Sequence, residues 1–490
     1  MRSSKLIALL HTLQPDEWHW LAKWVRSPYY NNNEGVISLF DHLRKFAPEL
    51  DSPKLEKETV FSHLFPGQAY DDQRLRLLLF RLSELVEGFL VAQRLKRDRL
   101  THQQFLQAEL GARNQYPLFE KENRDLGRHL EQYPYRDEDY YLARWRQQYD
   151  YFFHPQTARY AFPSAQLEEM MQNLDAFFIL SKMRYSAELR NRQNILPEQH
   201  DIALLVESRK LVAEHPVFSI DMIFQTYRDM LDLIEQPDNE HIFLRLEEIA
   251  FQHLHLFRSK DQSTLLRYLI NTTIYLYNEG KQEYLARQLR LYQLGLAKDL
   301  FLDEGQLSDG TFLNIVITAT ILGELDWVEG FLATYAALLP FERQADAGSL
   351  GTAYWYFAKG DFSACHDLLR KVENTNLQYL LRVKSLSLRT YFELFLLNDS
   401  YYNLVVYESK AFEKFLHRNE KITEQRAQGY LNLVYYLRQL AMLKTSFQLT
   451  SLKLGKLRNK LEKEGSVIAK PWLLEKLAEL TPPPNSVSRP

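Results

Sequence analysis

The chain has 490 residues, 46% apolar and 25% charged, with 60 basic against 63 acidic side chains for a net charge of −3. That apolar share suffices for a continuous core and excludes disorder as the state of most of the chain, while the near balance of charge leaves no global field to hold a polyanion. The length exceeds one ordinary globular domain but suits a helical array.

A single cysteine, Cys365, excludes an intramolecular disulfide and fits a reducing compartment. The opening residues Met1 to Leu10 carry only a short apolar run and no small-residue cleavage site. No stretch of about 18 uncharged apolar residues occurs. The expectation is a cytoplasmic protein with no membrane span. Aromatic residues reach 13%, with 29 Tyr and 29 Phe. Interhelical packing is their expected use, and a Tyr-rich recognition surface is the alternative.

Helix formers dominate, alternating β-branched runs are absent, and the expected class is all-α with no strand. Residues 1–97 read as an N-terminal helical domain. Pro15 opens a helix over 16–26 carrying Trp18, Leu21, Ala22 and Val25; others follow at 36–46 and 51–65, closed by Pro48 and by Pro66-Gly67. Asp71 or Asp72 then caps a long helix whose stripe is Leu75, Leu78, Leu79, Leu82, Val86 and Phe89. Its basic end, Arg94 to Arg99, is what a helix C-terminus favours.

Residues 98–480 read as helix after helix. The first group is 101–113, 117–131, 137–153, 164–193, 201–214, 217–235, 240–257, 262–278 and 282–300. The second is 311–322, 326–339, 346–359, 361–373, 377–397, 403–417, 421–442, 446–463 and 471–480. Residues 481–490, with three consecutive prolines, are expected to be disordered.

Helix pairs of similar length in long succession point to a solenoid, because no single pair can bury its apolar face alone. From Ala353 to Cys365 a small residue and the aromatic Tyr356 occupy one helix, Gly360-Asp361 makes the turn, and Phe362 with small Cys365 opens the next. A second unit has Phe312, Ile315, Val316 and Ala319, then Gly323, then Leu325, Val328 and Leu332, with Pro340 to end it. Weaker echoes lie at Gly280 and Asn398-Asp399. These units resemble the tetratricopeptide repeat over residues 260–417. The resemblance implies an α-α superhelix with a concave groove for protein partners and names no ligand. The runs Ser27-Pro28-Tyr29-Tyr30-Asn31, Leu64-Phe65-Pro66-Gly67 and Leu174-Asp175 also resemble a family of uncharacterised bacterial helical proteins, which implies no activity.

No catalytic residue, metal ligand or cofactor is expected. Gly455-Lys456-Leu457 lacks the spacing and hydroxyl of a phosphate loop, and Gly348 to Gly351 is one residue short of a nucleophile elbow. His253 and His255 fall on different helix faces; Asp125 and His129 have no third ligand; Cys365 and His366 diverge on a helix. Helix 164–193 carries the candidate binding residues. Its stripe is Leu167, Met171, Leu174, Phe178, Tyr185 and Leu189, with Asp175 and Lys182 on the shoulder and Glu188 and Arg192 placed to pair. Tyr141 and Trp145, with Tyr149 and Phe152, form an aromatic stripe that packs as core or serves as a partner platform.

The function expected is noncatalytic: protein–protein interaction or scaffolding, with a protein or peptide partner, no nucleic acid, and an oligomeric state left open. The alternative is a transcriptional regulator with a helical-repeat sensor region. Residues 57–82 resemble the helix-turn-helix of bacterial activators that carry helical repeats, which implies Arg74, Arg76 and Arg81 facing DNA. Against it, the helix continues toward Leu95 where a β-wing belongs, and the recognition helix is very apolar.

Overall fold

The computed structural model describes residues 4–157, 164–193, 200–373, 376–445 and 451–480; the tail 481–490 lies outside them. Among the described residues the protein is all-α, with 23 α-helices, a few single-turn 3₁₀ segments and one pair of two-residue strands. The chain divides into two compact units, Met1–Pro134 with Glu138–Phe177, and Tyr135–Asp137 with Phe178–Pro490. The sequence boundary at 97 falls inside the first unit, at a helix end.

The first unit begins with α1 (Lys5–His11), α2 (Glu17–Val25), α3 (Glu34–Arg44), α4 (Lys57–Leu64) and α5 (Asp72–Arg97). The four short helices all pack on α5. Its spacing makes this possible: Leu75, Leu78, Leu82, Val86 and Phe89 are buried against Trp18, Phe40 and Phe61, with Leu79 at the margin. Asp71 is the cap, accepting from the Arg74 amide at 3.0 Å. Then come α6 (Arg99–Ala112), α7 (Tyr116–Glu131) and α8 (Glu138–Phe152), each packed on the next, followed by α9 (Ala165–Gln193). The division between the units falls within α9.

The second unit continues with α10 (Leu205–Glu214), α11 (Met222–Glu235), α12 (Glu240–Gln252), α13 (Ser259–Asn278) and α14 (Glu283–Ala297). A strand pair, β1 (Leu302–Asp303) and β2 (Gln306–Leu307), precedes α15 (Asp309–Ile321), α16 (Leu325–Tyr335), α17 (Phe341–Lys359) and α18 (Phe362–Leu369). The last helices are α19 (Leu377–Leu397), α20 (Tyr402–Arg418), α21 (Glu424–Thr445), α22 (Ser451–Lys463) and α23 (Lys470–Glu479). From α11 to α21 each helix packs on its successor. Odd-numbered helices also pack on one another: α11 on α13, α15 on α17, α17 on α19, α19 on α21 and α21 on α23.

Two glycines make tight turns inside these pairs. Gly323 and Gly360 have φ of +77° and +79°, a left-handed conformation that a Cβ opposes. Asn398 takes no such conformation; it is extended and caps a 3₁₀ turn. Gly351 has a different use. A Cβ there would lie 2.8 Å from the Phe312 ring, so glycine lets α17 approach α15 closely.

Two sequence expectations are corrected. No strand was expected, yet Leu302–Asp303 pairs antiparallel with Gln306–Leu307, because Glu304 and Gly305 both take positive φ and fold a two-residue hairpin. On α9 the stripe Leu167, Met171, Leu174, Phe178 and Tyr185 is exposed and Leu189 half-buried, while Ala176, Ile179, Leu180, Met183 and Ala187 form the buried face. Both sets satisfy helical spacing. The small residues Ala176, Ser186 and Ala187 allow the closer approach, so that face is the one covered.

Candidate functional site

The four polar candidates on α9 do not converge. Asp175 and Arg192 are exposed and Lys182 is half-buried. Glu188 accepts a hydrogen bond from the Tyr268 hydroxyl at 3.2 Å instead of pairing with Arg192. The residue of α9 that spacing did not single out is Arg184, which pairs with buried Asp261 at 2.9 Å. The Tyr227 hydroxyl bonds to the same carboxylate, and Asp137 pairs with Arg258 beside it. Burial pushes Asp261 above the usual carboxylate range, against the pull of Arg184. These groups satisfy one another and leave little for a ligand.

Tyr141 and Trp145 lie half-buried on α8. Trp145 packs on Tyr149 at 5.5 Å, Tyr149 on Phe153 at 4.9 Å, and Phe152 meets the Phe153 ring edge-on at 5.1 Å, so Phe153 joins the series that the sequence expected to end at Phe152. A cavity of about 200 Å³ opens nearby between α7, α8 and α9, and Arg144 and Glu169 on its wall pair at 3.4 Å.

The arginines expected to face DNA are differently engaged. The Arg74 guanidinium lies 3.6 Å from the Phe65 ring centre and donates to Gln68 at 2.7 Å. Arg76 pairs with Asp72 at 2.6 Å. Arg81 is exposed and lines an open depression of about 750 Å³ with Asn31, Asn33, Glu34 and Glu84. The basic end of α5 is also occupied, since Arg97 pairs with Glu17 at 2.6 Å. His129 meets Gln103 at 2.7 Å, and Asp125 pairs with Arg128. Among the described residues no group of three or more His, Cys, Asp or Glu is placed to hold a metal ion.

A different cluster stands on the odd-numbered helices α15, α17, α19 and α21. Arg382 and Arg389 lie seven residues apart on α19, about 10.5 Å along its axis. Arg382 donates through Nη2 to Asn314 on α15 at 2.8 Å, but its Nη1 is enclosed without a hydrogen-bond partner. Arg389 lies against the rings of Phe357 at 4.9 Å and Trp472 at 5.9 Å. Its enclosed Nε has no partner among the described residues. Tyr354 and Tyr430 are within its electrostatic reach, and both are nearly buried. The Glu393 carboxylate is taken up elsewhere, by the Trp472 indole at 2.6 Å and Lys476 at 3.0 Å.

Burial holds the Tyr354 hydroxyl above its ordinary pKa, which keeps it a proton donor, and lowers that of the Arg389 guanidinium. Cys365, 3.3 Å from the Thr390 hydroxyl, is pushed up to about 11 by burial and is a packed thiol, not a nucleophile.

Sequence reasoning passed over Arg382 and Arg389 because both sit inside an apolar-looking helix. One signal was available: Arg382 has no acidic residue three or four places away on either side. Comparison with protein-family models, with curated proteins and with solved structures gives no match for this chain.

Proposed function

We propose that this chain is a noncatalytic helical-repeat protein that holds a protein or peptide partner on the face built by the odd-numbered helices of its second unit. One observation carries the reading: from α11 to α21 each helix packs on its successor, and odd-numbered helices also pack on one another, α11 on α13 and then in unbroken order from α15 to α23. Nearest-neighbour packing of that kind is how helical repeats bury a continuous core while leaving one series of helices to line a surface. The left-handed turn glycines Gly323 and Gly360 add support, at the positions on which the tetratricopeptide resemblance rests.

The regulator reading has less support, because Arg74 and Arg76 already have partners within their own unit. No helix among the described residues is long and apolar enough to cross a membrane. A cytoplasmic location belongs to the same proposal.

The test is photo-crosslinking in the native cell from Lys384, which is half-buried on α19, with Phe80, which is exposed on α5, as the control position. A defined protein trapped from Lys384 and not from Phe80 is the expected result. Equal trapping at both positions would remove the assignment of this face.

A further inference from the structure

We infer that the solvent face of α5 docks on the same face of a second copy of this chain, the two helices antiparallel about a two-fold axis, with Arg81 of each copy paired to Glu84 of the other. α5 carries one spacing twice. Leu75, Leu78, Leu82, Val86 and Phe89 are buried among the short helices of the first unit. Two residues further on, about 200° round the helix, the same intervals recur as Leu77, Phe80, Glu84, Gly88 and Val91. Leu77, Phe80 and Val91 are 49%, 59% and 62% exposed. Single apolar side chains on a surface need no explanation, but three in one row of a helix mark a face that another chain covers.

The charges on this face name the occupant. Arg81 and Glu84 are exposed, and neither has a hydrogen bond or ion pair among the described residues. Both border an open depression of about 750 Å³, which leaves them room to turn toward an incoming chain. One cation and one anion sum to zero, so the face selects neither a strongly acidic nor a strongly basic partner. It complements a face with the same two charges in reverse order, and an antiparallel copy of α5 presents that face. A parallel copy would set Arg81 against Arg81 and Glu84 against Glu84.

The register follows. With Arg81 level with Glu84 of the other copy, the two-fold axis passes midway between them and Leu77 comes level with Gly88, which has no side chain to oppose it. Phe80 and Val91 extend the apolar contact. From Leu77 to Val91 the face is about 21 Å long. A contact of one helix face with its copy is small, below roughly 1,200 Å² in total, so the dimer dissociates in the micromolar range.

The experiment is sedimentation equilibrium of the full chain over about 1–200 μM. The native chain should pass from monomer to dimer across this range. Arg81→Glu and Glu84→Arg should each weaken self-association about tenfold or more, because each sets like charges opposite one another. An equimolar mixture of the two variants should dimerise again, since every Glu then faces an Arg. The double variant Arg81→Glu with Glu84→Arg should dimerise as the native chain does, and Phe80→Asp should not. Restored pairing in the mixture also shows that both single variants are folded. Photo-crosslinking from Phe80 should trap a second copy of the chain, a product distinct from the protein caught from Lys384.

A native chain that stays monomeric throughout the range overturns the inference. So does a dimer that either single charge variant or Phe80→Asp leaves at native strength, or a mixture that fails to restore pairing. None of these outcomes bears on the partner-binding face of the second unit.

Discussion

Arg184 on α9 and Asp261 on α13 form an ion pair at 2.9 Å, with the Asp261 side chain only 6% exposed. The pair joins helices far apart in sequence. Arg184→Met would leave a buried carboxylate without its counter-ion, at a cost of about 3–5 kcal/mol. Chemical denaturation should show a large loss in the single variant and recovery of much of it in the double variant Arg184→Met with Asp261→Asn. Unchanged midpoints in the single variant would contradict the structural role.

The same pair predicts a pH dependence. Burial raises the folded-state pKa of Asp261 above its unfolded value, with Arg184 opposing and Asp137 adding to the rise. The folded state therefore keeps the proton longer. The stability from this group is full below the unfolded pKa and is lost as pH rises through the folded value. Without Arg184 the rise is larger. The stability deficit of Arg184→Met should narrow as the solution is taken from neutral toward a pH of about 5, measured as the difference in denaturation midpoint from the native chain. A constant deficit would contradict this.

His42 gives a dependence of the opposite sign in the first unit. Burial lowers its pKa, and the charges of His63, Lys45 and Lys54 add to the effect, against a hydrogen bond to the Lys54 carbonyl at 3.4 Å. Its ring lies 4.3 Å from that of His63, and its Nδ1 is enclosed without a partner. The folded state binds fewer protons than the unfolded one. Stability from this group is full above the unfolded value and is lost as pH falls through it toward the folded pKa. His42→Leu should flatten the acid side of the stability profile. A slope equal to that of the native chain would exclude His42 as the cause.

Glycine substitutions separate close packing from mere presence in a helix. A Cβ on Gly295 would collide with the Phe301 ring, which packs on that glycine just before the small hairpin. Gly295→Ala should cost about 1–3 kcal/mol. Gly330, inside α16, has open space around its Cβ position. Gly330→Ala should be neutral or add up to about 1 kcal/mol through helix propensity. Calorimetric melts of the two variants check the contrast.

Much of the fold was legible because long helices announce themselves by spacing and by their caps. The Leu75 to Phe89 stripe and the turns at Gly323 and Gly360 stand where the pattern puts them. Helix starts were less legible. The helix expected from 217 begins at Met222, because Asp221 caps it by accepting from the Ile223 amide at 2.8 Å. The buried face of α9 was not legible: apolar residues satisfy helical spacing on two sides, and the neighbours choose between them. The arginine cluster was not legible either. What distinguishes Arg382 and Arg389 is one enclosed N–H-bearing nitrogen on each that the surrounding helices leave without a hydrogen bond, a property of tertiary structure.

The central claim is that the helix pairs of the second unit stack one after another. Spin labels placed singly and in pairs at exposed Asp326, Asp367 and Tyr407, on α16, α18 and α20, test it most directly. Buried Cys365, with its thiol pushed up to about 11, stays out of the labelling reaction. Successive layers should add about 10 Å each, so the Asp326–Tyr407 distance should clearly exceed both the Asp326–Asp367 and the Asp367–Tyr407 distances. An Asp326–Tyr407 distance no longer than either of the others would contradict the stacked arrangement.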